Sequence, residues 1–289
     1  MWLNFLISCF IFLLGLVAGS FLNCVIYRLE TKKSFVRGRS FCPLCKHTLK
    51  WQDLIPVFSF LFLKGRCRYC KQKISVQYPL VELTTGLIFL FIFHHQCKAV
   101  LDSDLVLFFS RLPLSLLFGH ICQLFLLWAI AFLMEIIFVF DLKYYLVADQ
   151  IIYPALFLTL LFQLCRFLPN YQTRFFLLGA IPHMKDFCYA LAVSAGLFFL
   201  LWAFSRGRYL GFGDVKIGFL MALLLGWPAI LPALSFAFLT GAVLGLILIG
   251  LQKKTMKSEI PFGPFLITGT FVGLFFGEKI IQWYLNFFI

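Results

Sequence analysis

Two aspartates in this chain have the surroundings that acid–base chemistry requires. Asp141 stands in "FVFDLKYYLVAD" and Asp214 stands in "GFGDVK", each beside a long apolar segment. Two carboxylates held together in a site of low dielectric constant tend to share one proton. One can then take a proton from water while the other donates to a carbonyl, which is the chemistry of an aspartic protease.

The residues alone leave other roles open for these carboxylates. Asp214 precedes "VKIGFLMALLL", so it could cap a helix or pair with Lys216, and taken by itself the helix cap is favoured. Asp149 is predicted to be the N-cap of the helix that follows it. Asp141 is harder to explain structurally, because a carboxylate at the end of a helix opposes the helix dipole.

Four cysteines form a second set, arranged as "CPLC" (Cys42, Cys45) and "CRYC" (Cys67, Cys70). Two such pairs can direct four thiolates at one tetrahedral centre, which predicts a closed structural zinc site. The alternative is two disulfides, which are rare in a reducing cytoplasm. His47 is a second-choice ligand.

The elements that carry these residues are predicted to be membrane helices. The composition is 62% hydrophobic and only 13% charged, which excludes an ordinary soluble domain. We predict an all-α polytopic membrane protein with about eight transmembrane helices and a cytoplasmic zinc-binding insertion built on the four cysteines. The predicted spans are 3–26, 79–97, 119–140, 150–168, 186–204, 215–232, 233–251 and 262–286.

Three parts follow from this pattern: a first span over 1–26, the insertion over 27–78, and a transmembrane bundle over 79–289. Segment 104–118 is apolar but short, and we interpret it as re-entrant or interfacial. With the N-terminus outside, the loops on the insertion's side hold 19 of the 25 Lys and Arg residues. Basic loops stay cytoplasmic, so both aspartates are expected at the cytoplasmic face. The positive charge therefore needs no nucleic-acid partner.

Glu82 and Glu135 are further suspects, because ionisable residues inside membrane spans are costly and often functional. A relay of Asp141, Asp214 and Glu135 could serve a proton-coupled transporter. Such transporters more often show internal repeats and interrupted helices. A noncatalytic zinc-loop scaffold is a third possibility, and it would survive the loss of both aspartates.

Several segments together carry a family resemblance. They are "GSFLNCVIYRL", "CPLC", "WQDLIPVFSFL", "KGRCRYCKQKISVQYPLVEL", "FDLKYYLVAD", "GFGDVK" and "IPFGPFLITGT", in that order. The chain resembles the bacterial type IV prepilin peptidases nearly from end to end. One departure is "VAD" at 147–149, where the family often has Leu-Pro-Asp.

The resemblance implies a multi-pass enzyme of the bacterial inner membrane that acts on prepilins or type II secretion pseudopilins. It implies that Asp141 and Asp214 are catalytic, and that Cys42, Cys45, Cys67 and Cys70 bind zinc. The enzyme would cut the basic leader and then methylate the new N-terminus with S-adenosylmethionine. Methyl transfer rests on the resemblance alone, with the insertion and the "GSFLN" region as the hypothesis for its location. The oligomeric state is left unassigned.

Overall fold

The computed structural model describes residues 2–32, 34, 38–97, 114–167, 184–208, 210–252 and 260–288. These residues are mainly helical. Their β-structure is limited to two isolated antiparallel bridges, Phe41 with Thr48 and Arg66 with Lys73. The predicted all-α class is therefore confirmed. Most of the predicted re-entrant segment 104–118 lies outside the described residues.

The chain divides into two compact units, Met1–Cys97 and Lys98–Ile289. The first holds α1 (Trp2–Glu30), a 3-10 turn (Trp51–Leu54), α2 (Phe58–Phe62) and α3 (Gln77–Gln96). The second holds α4 (Leu114–Tyr144), α5 (Asp149–Phe167), α6 (Met184–Leu191), a π-helical turn (Ala192–Gly196), α7 (Leu197–Ser205), α8 (Phe212–Leu225), α9 (Ile230–Gly250) and α10 (Gly263–Phe288).

Six helical stretches among the described residues are long and apolar enough to cross a membrane. They are Trp2–Glu30, Gln77–Gln96, Phe118–Tyr144, Met184–Ser205, Ile230–Gly250 and Gly263–Phe287. The predicted span 150–168 forms α5, which carries Gln163 and Arg166 and is not among the six. The predicted span 215–232 has the wrong end, because α8 stops at Leu225. Gly226 ends that helix with a φ of 67°, a conformation that glycine adopts without steric cost.

In the first unit, α1 and α3 cross at very short range. A Cβ atom on Gly15 would lie 2.7 Å from the Cα of Gly86, and one on Gly19 would lie 2.7 Å from the Cα of Glu82. Any side chain at these positions would push the helices apart. Small residues are the usual means by which membrane helices bring their backbones together. This packing holds the two ends of the cysteine insertion side by side.

In the second unit, α8 is the central helix. It packs against α5, α6, α7 and α10, and its buried residues include Ile217 and Met221. Helix α4 packs against α5 and α10. The last turn of α4 and the first turn of α8 carry Asp141 and Asp214, so this packing positions both predicted carboxylates.

The π-helical turn between α6 and α7 fixes α8 from one side. Its Ser194 hydroxyl donates a hydrogen bond of 2.9 Å to the carbonyl of Gly218. A Cβ atom on Gly218 would lie 2.5 Å from Cδ2 of Phe198, so α7 also packs directly on the α8 backbone. Single π turns inside α-helices occur often at functional sites.

Candidate active site and metal centre

Asp141 lies in the last turn of α4 and is almost completely buried, with 5% of its surface exposed. Its Oδ2 atom has no hydrogen-bond partner among the described residues. The backbone N–H of Gly263, at the start of α10, faces the carboxylate. A Cβ atom on Gly263 would lie 2.5 Å from Asp141 Oδ2, so only glycine leaves room for the carboxylate.

Asp214 lies in the first turn of α8 and is not its N-cap. The helix begins at Phe212 with Gly211 as the N-cap, and the backbone N–H of Asp214 donates to the Gly211 carbonyl at 3.1 Å. The Gly211 backbone N–H also faces the Asp214 carboxylate. A carboxylate in the first turn of a helix is favoured by the helix dipole. The helix-cap alternative for Asp214 is therefore wrong, because the cap lies at Gly211.

The two carboxylates are close enough to influence one another. Burial raises the pKa of Asp214 to about 7, and the neighbouring Asp141 contributes to that rise. Asp214 lies just before the predicted span 215–232. None of the six described stretches that are long and apolar enough to cross a membrane contains it. Two carboxylates that raise one another's pKa in this way tend to share a proton. The structure therefore brings together the two aspartates that the sequence singled out.

The loop between α4 and α5 is tied to the start of α8 at two points. Val147 packs on Gly213, where an added Cβ atom would lie 2.6 Å from Val147 Cγ2. Asp149, the first residue of α5, forms an ion pair with Lys216. Lys216 also lies over the ring of Tyr153, 5.0 Å from its centroid. Lys216 therefore pairs with Asp149, and the alternative that it pairs with Asp214 is wrong.

The other two suspect glutamates lie elsewhere. Glu135 is buried in α4, six residues before Asp141, which separates the two residues by about 9 Å along the helix axis. Glu82 belongs to α3 in the first unit, where its Oε2 accepts the backbone N–H of Val57 at 2.7 Å. Neither Gly263 nor Val147 was predicted to touch the site. The motifs "IPFGPF" and "LVAD" carried that signal only through the family resemblance.

The four predicted metal ligands converge. The sulfur atoms of Cys42, Cys45, Cys67 and Cys70 all lie within 4.8 Å of one another. The Cys42 and Cys70 sulfurs are 4.0 Å apart. Four ligands at a Zn–S distance of about 2.3 Å would place their sulfurs about 3.8 Å apart in a tetrahedron. The donor set and its spacing therefore fit zinc. All four thiols are free in the structure, which does not favour the two-disulfide alternative.

Each cysteine pair is built in the same way, 25 residues apart. In the first pair, Cys42 N–H donates to the His47 carbonyl at 3.0 Å, and Lys46 N–H donates to the Cys42 carbonyl at 2.8 Å. In the second, Cys67 N–H donates to the Gln72 carbonyl at 2.9 Å, and Lys71 N–H donates to the Cys67 carbonyl at 3.0 Å. The matching backbone turns aim both pairs of thiols at one centre.

The local environment prepares one thiol to become a thiolate. Burial raises the pKa of Cys67, but hydrogen bonds from the backbone N–H groups of Cys70 and Tyr69 and from the thiols of Cys70 and Cys42 together lower it to about 7. His47 is not among the converging atoms, because its ring packs on Tyr69 with the centroids 3.7 Å apart. Asp53 joins the 3-10 turn Trp51–Leu54 to the second cysteine turn by accepting from Arg68 at 2.7 Å and from the Tyr69 hydroxyl at 3.1 Å.

Comparison with known families places this geometry in context. Residues 13–96 match the model of the bacterial peptidase A24 N-terminal domain, and residues 125–246 match the model of the type IV leader peptidase family. A prepilin leader peptidase/N-methyltransferase of Aeromonas salmonicida is 32% identical over 99% of this chain and 95% of its own length. The chain belongs to the type IV leader peptidase family. The resemblance in the sequence motifs is thereby confirmed.

More distant members of the type IV leader peptidase family agree. Proteins of the same name from Legionella pneumophila and Bacillus subtilis are 30% and 29% identical, each over 96% of this chain. The alignments with this chain cover 94% and 97% of the lengths of those two proteins. No solved structure matches this chain. Nothing in these comparisons supports the alternative of a proton-coupled transporter.

Proposed function

We propose that this protein is a membrane-embedded aspartic endopeptidase that removes the leader peptide from prepilins or pseudopilins and then N-methylates the new N-terminus. The observation that carries the peptidase half is the proximity of the buried Asp141 to the partly buried Asp214, whose pKa it helps to raise. The names of relatives that align over nearly the whole chain support both halves.

The chemistry follows from the shared proton. The carboxylate that lacks the proton takes one from a water molecule, and the resulting hydroxide attacks the carbonyl carbon of the scissile peptide bond. The protonated partner donates to the carbonyl oxygen as the tetrahedral intermediate forms. When the intermediate collapses, the carboxyl group that took the water proton gives it to the leaving amine, and the C–N bond breaks. A hydroxyl proton of the intermediate returns to the other carboxylate, so the pair again holds one proton.

We place this reaction at the cytoplasmic face of the bacterial inner membrane. The asymmetry of Lys and Arg between the two sets of loops supports that orientation. A prepilin has a basic leader in the cytoplasm and an apolar helix in the bilayer, with the scissile bond between them. A carboxylate pair at the cytoplasmic end of a spanning helix meets this bond without moving it through the membrane.

The four cysteines would hold a structural zinc ion. Four thiolates complete a tetrahedral shell and leave no position for water, so the ion would fold the insertion and take no part in hydrolysis. The methyl donor, S-adenosylmethionine, is a substrate of the second reaction. We place its binding in the first unit, following the hypothesis for the "GSFLN" region, and assign no individual residue.

Cleavage of a purified prepilin by the full chain in detergent tests the peptidase proposal. Asp141→Asn and Asp214→Asn keep the shape of each side chain but cannot share a proton, so both should lose cleavage. Removing one member of such a catalytic pair typically costs at least about 10⁴-fold in kcat. Glu30→Gln, at the exposed end of α1, is the control and should cleave normally. Wild-type cleavage by either asparagine variant would refute the assignment.

The methyltransferase half needs a separate readout. With prepilin that has already been cleaved and labelled S-adenosylmethionine, both asparagine variants should transfer label at the wild-type rate. This result would separate the two activities and show that the variants are folded. If wild-type protein transfers no label to cleaved prepilin, the methyltransferase half of the proposal is wrong while the peptidase half stands.

A further inference from the structure

Helix α2, in the middle of the cysteine insertion, presents an apolar face to solvent. Phe58, Leu61 and Phe62 are 50%, 63% and 83% exposed. They are spaced i, i+3 and i+4, so they share one side of the helix. Phe60 points the other way and packs near Gly65. Large apolar side chains exposed together on one face are a mark of an interaction site.

The depth of this face relative to the bilayer can be read from one hydrogen bond. Val57, which precedes α2, donates its backbone N–H to Glu82 Oε2 at 2.7 Å. Glu82 belongs to the spanning stretch Gln77–Gln96, about 7.5 Å along the axis from its first residue. The start of α2 is therefore held beside the first turns of a helix that is long and apolar enough to cross a membrane.

The backbone is bent sharply to reach this position. Val57 has φ 60° and ψ −50°, and the next N–H, that of Phe58, donates to the Pro56 carbonyl at 2.6 Å. A β-branched residue in this region of φ and ψ is a steric outlier. Such a conformation persists only where surrounding contacts hold it, and here the buried Glu82 carboxylate does so.

Basic and aromatic residues surround the apolar face. Lys64 and Arg66 follow α2 directly and line an open cavity of 440 Å³ together with Lys71. Trp51 lies on the preceding 3-10 turn and is 73% exposed. Tryptophan is enriched at membrane interfaces, and lysine and arginine there bind anionic lipid headgroups.

We propose that α2 and its flanks form a lipid-docking surface that rests on the anionic headgroup layer of the bilayer crossed by α1 and α3. Trp51, Phe58, Leu61 and Phe62 would enter the interface, while Lys64 and Arg66 contact lipid phosphates. The combination of an apolar face with positive charge fits this partner better than a prepilin, whose basic leader the same charges repel. The docking would hold the cysteine module, residues 38–76, flat against the membrane.

Hydrogen–deuterium exchange on the full chain in nanodiscs tests the proposal. Discs of phosphatidylcholine alone are compared with discs that also contain phosphatidylglycerol, and the exchange of residues 51–63 is followed. Exchange should be slower in the anionic discs, since each basic residue near an anionic surface contributes about a factor of five to its binding. Lys64→Glu combined with Arg66→Glu should abolish the difference between the two discs.

Arg206→Glu combined with Arg208→Glu, in the second unit, is the matched control and should leave the difference intact. Equal exchange in both discs would overturn the proposal. So would protection already present in detergent, which would mean that protein covers this face, or protection that appears only when prepilin is added.

A second measurement does not depend on the charge variants. Brominated lipids quench nearby tryptophans, and the quenching lost in Trp51→Phe reports the position of Trp51. We expect quenching from bromines near the headgroups, and its absence would overturn the proposal.

Discussion

At the scale of single residues, the two aspartates both benefit from the start of a helix. Asp214 lies in the first turn of α8, where the dipole favours negative charge. Asp141 lies at the end of α4, where the dipole opposes it, but the N–H of Gly263 at the start of α10 faces its carboxylate. The first N–H groups of a helix have no partner within that helix. Helix α10 thus offsets the unfavourable position of Asp141.

This arrangement makes Gly263 a positioning residue for cleavage. In Gly263→Ala the new methyl group would overlap Asp141 Oδ2, so the carboxylate must move. A displacement of about 1 Å at a catalytic group can cost about 100-fold in rate. We expect kcat for prepilin cleavage to fall by about that factor with little change in KM, measured at saturating and limiting prepilin.

The control for this prediction is Gly211→Ala. A Cβ atom on Gly211 would have no contact closer than 3.8 Å, and the residue has a φ of −72° that alanine adopts easily. This variant should cleave at close to the wild-type rate. Thermal unfolding and methylation of cleaved prepilin should be unchanged in both variants. A fall in kcat that is equal in the two variants would contradict the role given to Gly263.

At the scale of elements, the connection between α4 and α5 binds the segments of both aspartates together. Its Val147 packs on Gly213, and Asp149 pairs with Lys216 one turn into α8. The Lys216 side chain is 15% exposed and that of Asp149 is 59% exposed. A pair this accessible adds little to global stability, typically below about 1 kcal/mol. Its effect is expected in the geometry of the site.

A charge exchange tests the pair. Asp149→Lys and Lys216→Asp alone each place like charges together, and each should lower kcat/KM for prepilin cleavage by about fivefold or more, corresponding to about 1 kcal/mol. The double variant restores an ion pair and should recover most of that loss. A double variant no better than the worse single variant would show that the two residues act independently.

The helix boundaries also explain why the predicted span 215–232 is wrong. Apolar residues continue through 215–232, so composition alone suggests one helix there. Gly226 interrupts it, which leaves α8 with 14 residues, or about 21 Å of helix. A helix this short is buried among α5, α6, α7 and α10 and need not span the membrane by itself. Its start can therefore hold a carboxylate within the protein.

At the scale of the whole molecule, each unit contains one chemical centre. The four cysteines lie within residues 13–96, which match one family model, and the two aspartates lie within 125–246, which match another. The cysteine module, residues 38–76, has little apolar core, because its buried hydrophobic residues are mainly Cys42 and Cys67 themselves. A metal ion would supply the folding energy that such a core cannot.

Loss of one ligand should therefore affect the module and leave the second unit intact. Cys45 is exposed, so Cys45→Ser removes a ligand without removing core packing. We expect the bound zinc to fall from about one ion per chain to nearly none, measured by metal analysis of the purified protein. Limited proteolysis should then cut within residues 38–76, while the helices of the second unit stay protected.

Cys9→Ser, at another exposed cysteine of the first unit, is the control and should keep both the metal and the protection. If wild-type protein purifies without zinc and with four reactive thiols in the insertion, the metal assignment is wrong.

The sequence by itself determined the class of this protein, its four candidate metal ligands and its two suspect carboxylates, because those signals are local. Apolar length reports a membrane helix, and Cys-x2-Cys reports a turn that carries two thiols. Only the tertiary structure decided that Gly263, Val147 and Glu82 contact the functional segments. Each of these contacts joins residues distant in the chain, and no local pattern encodes which backbone amide or side chain will fill a given space. For the same reason, the partner of Lys216 became known only from the packing of α5 on α8.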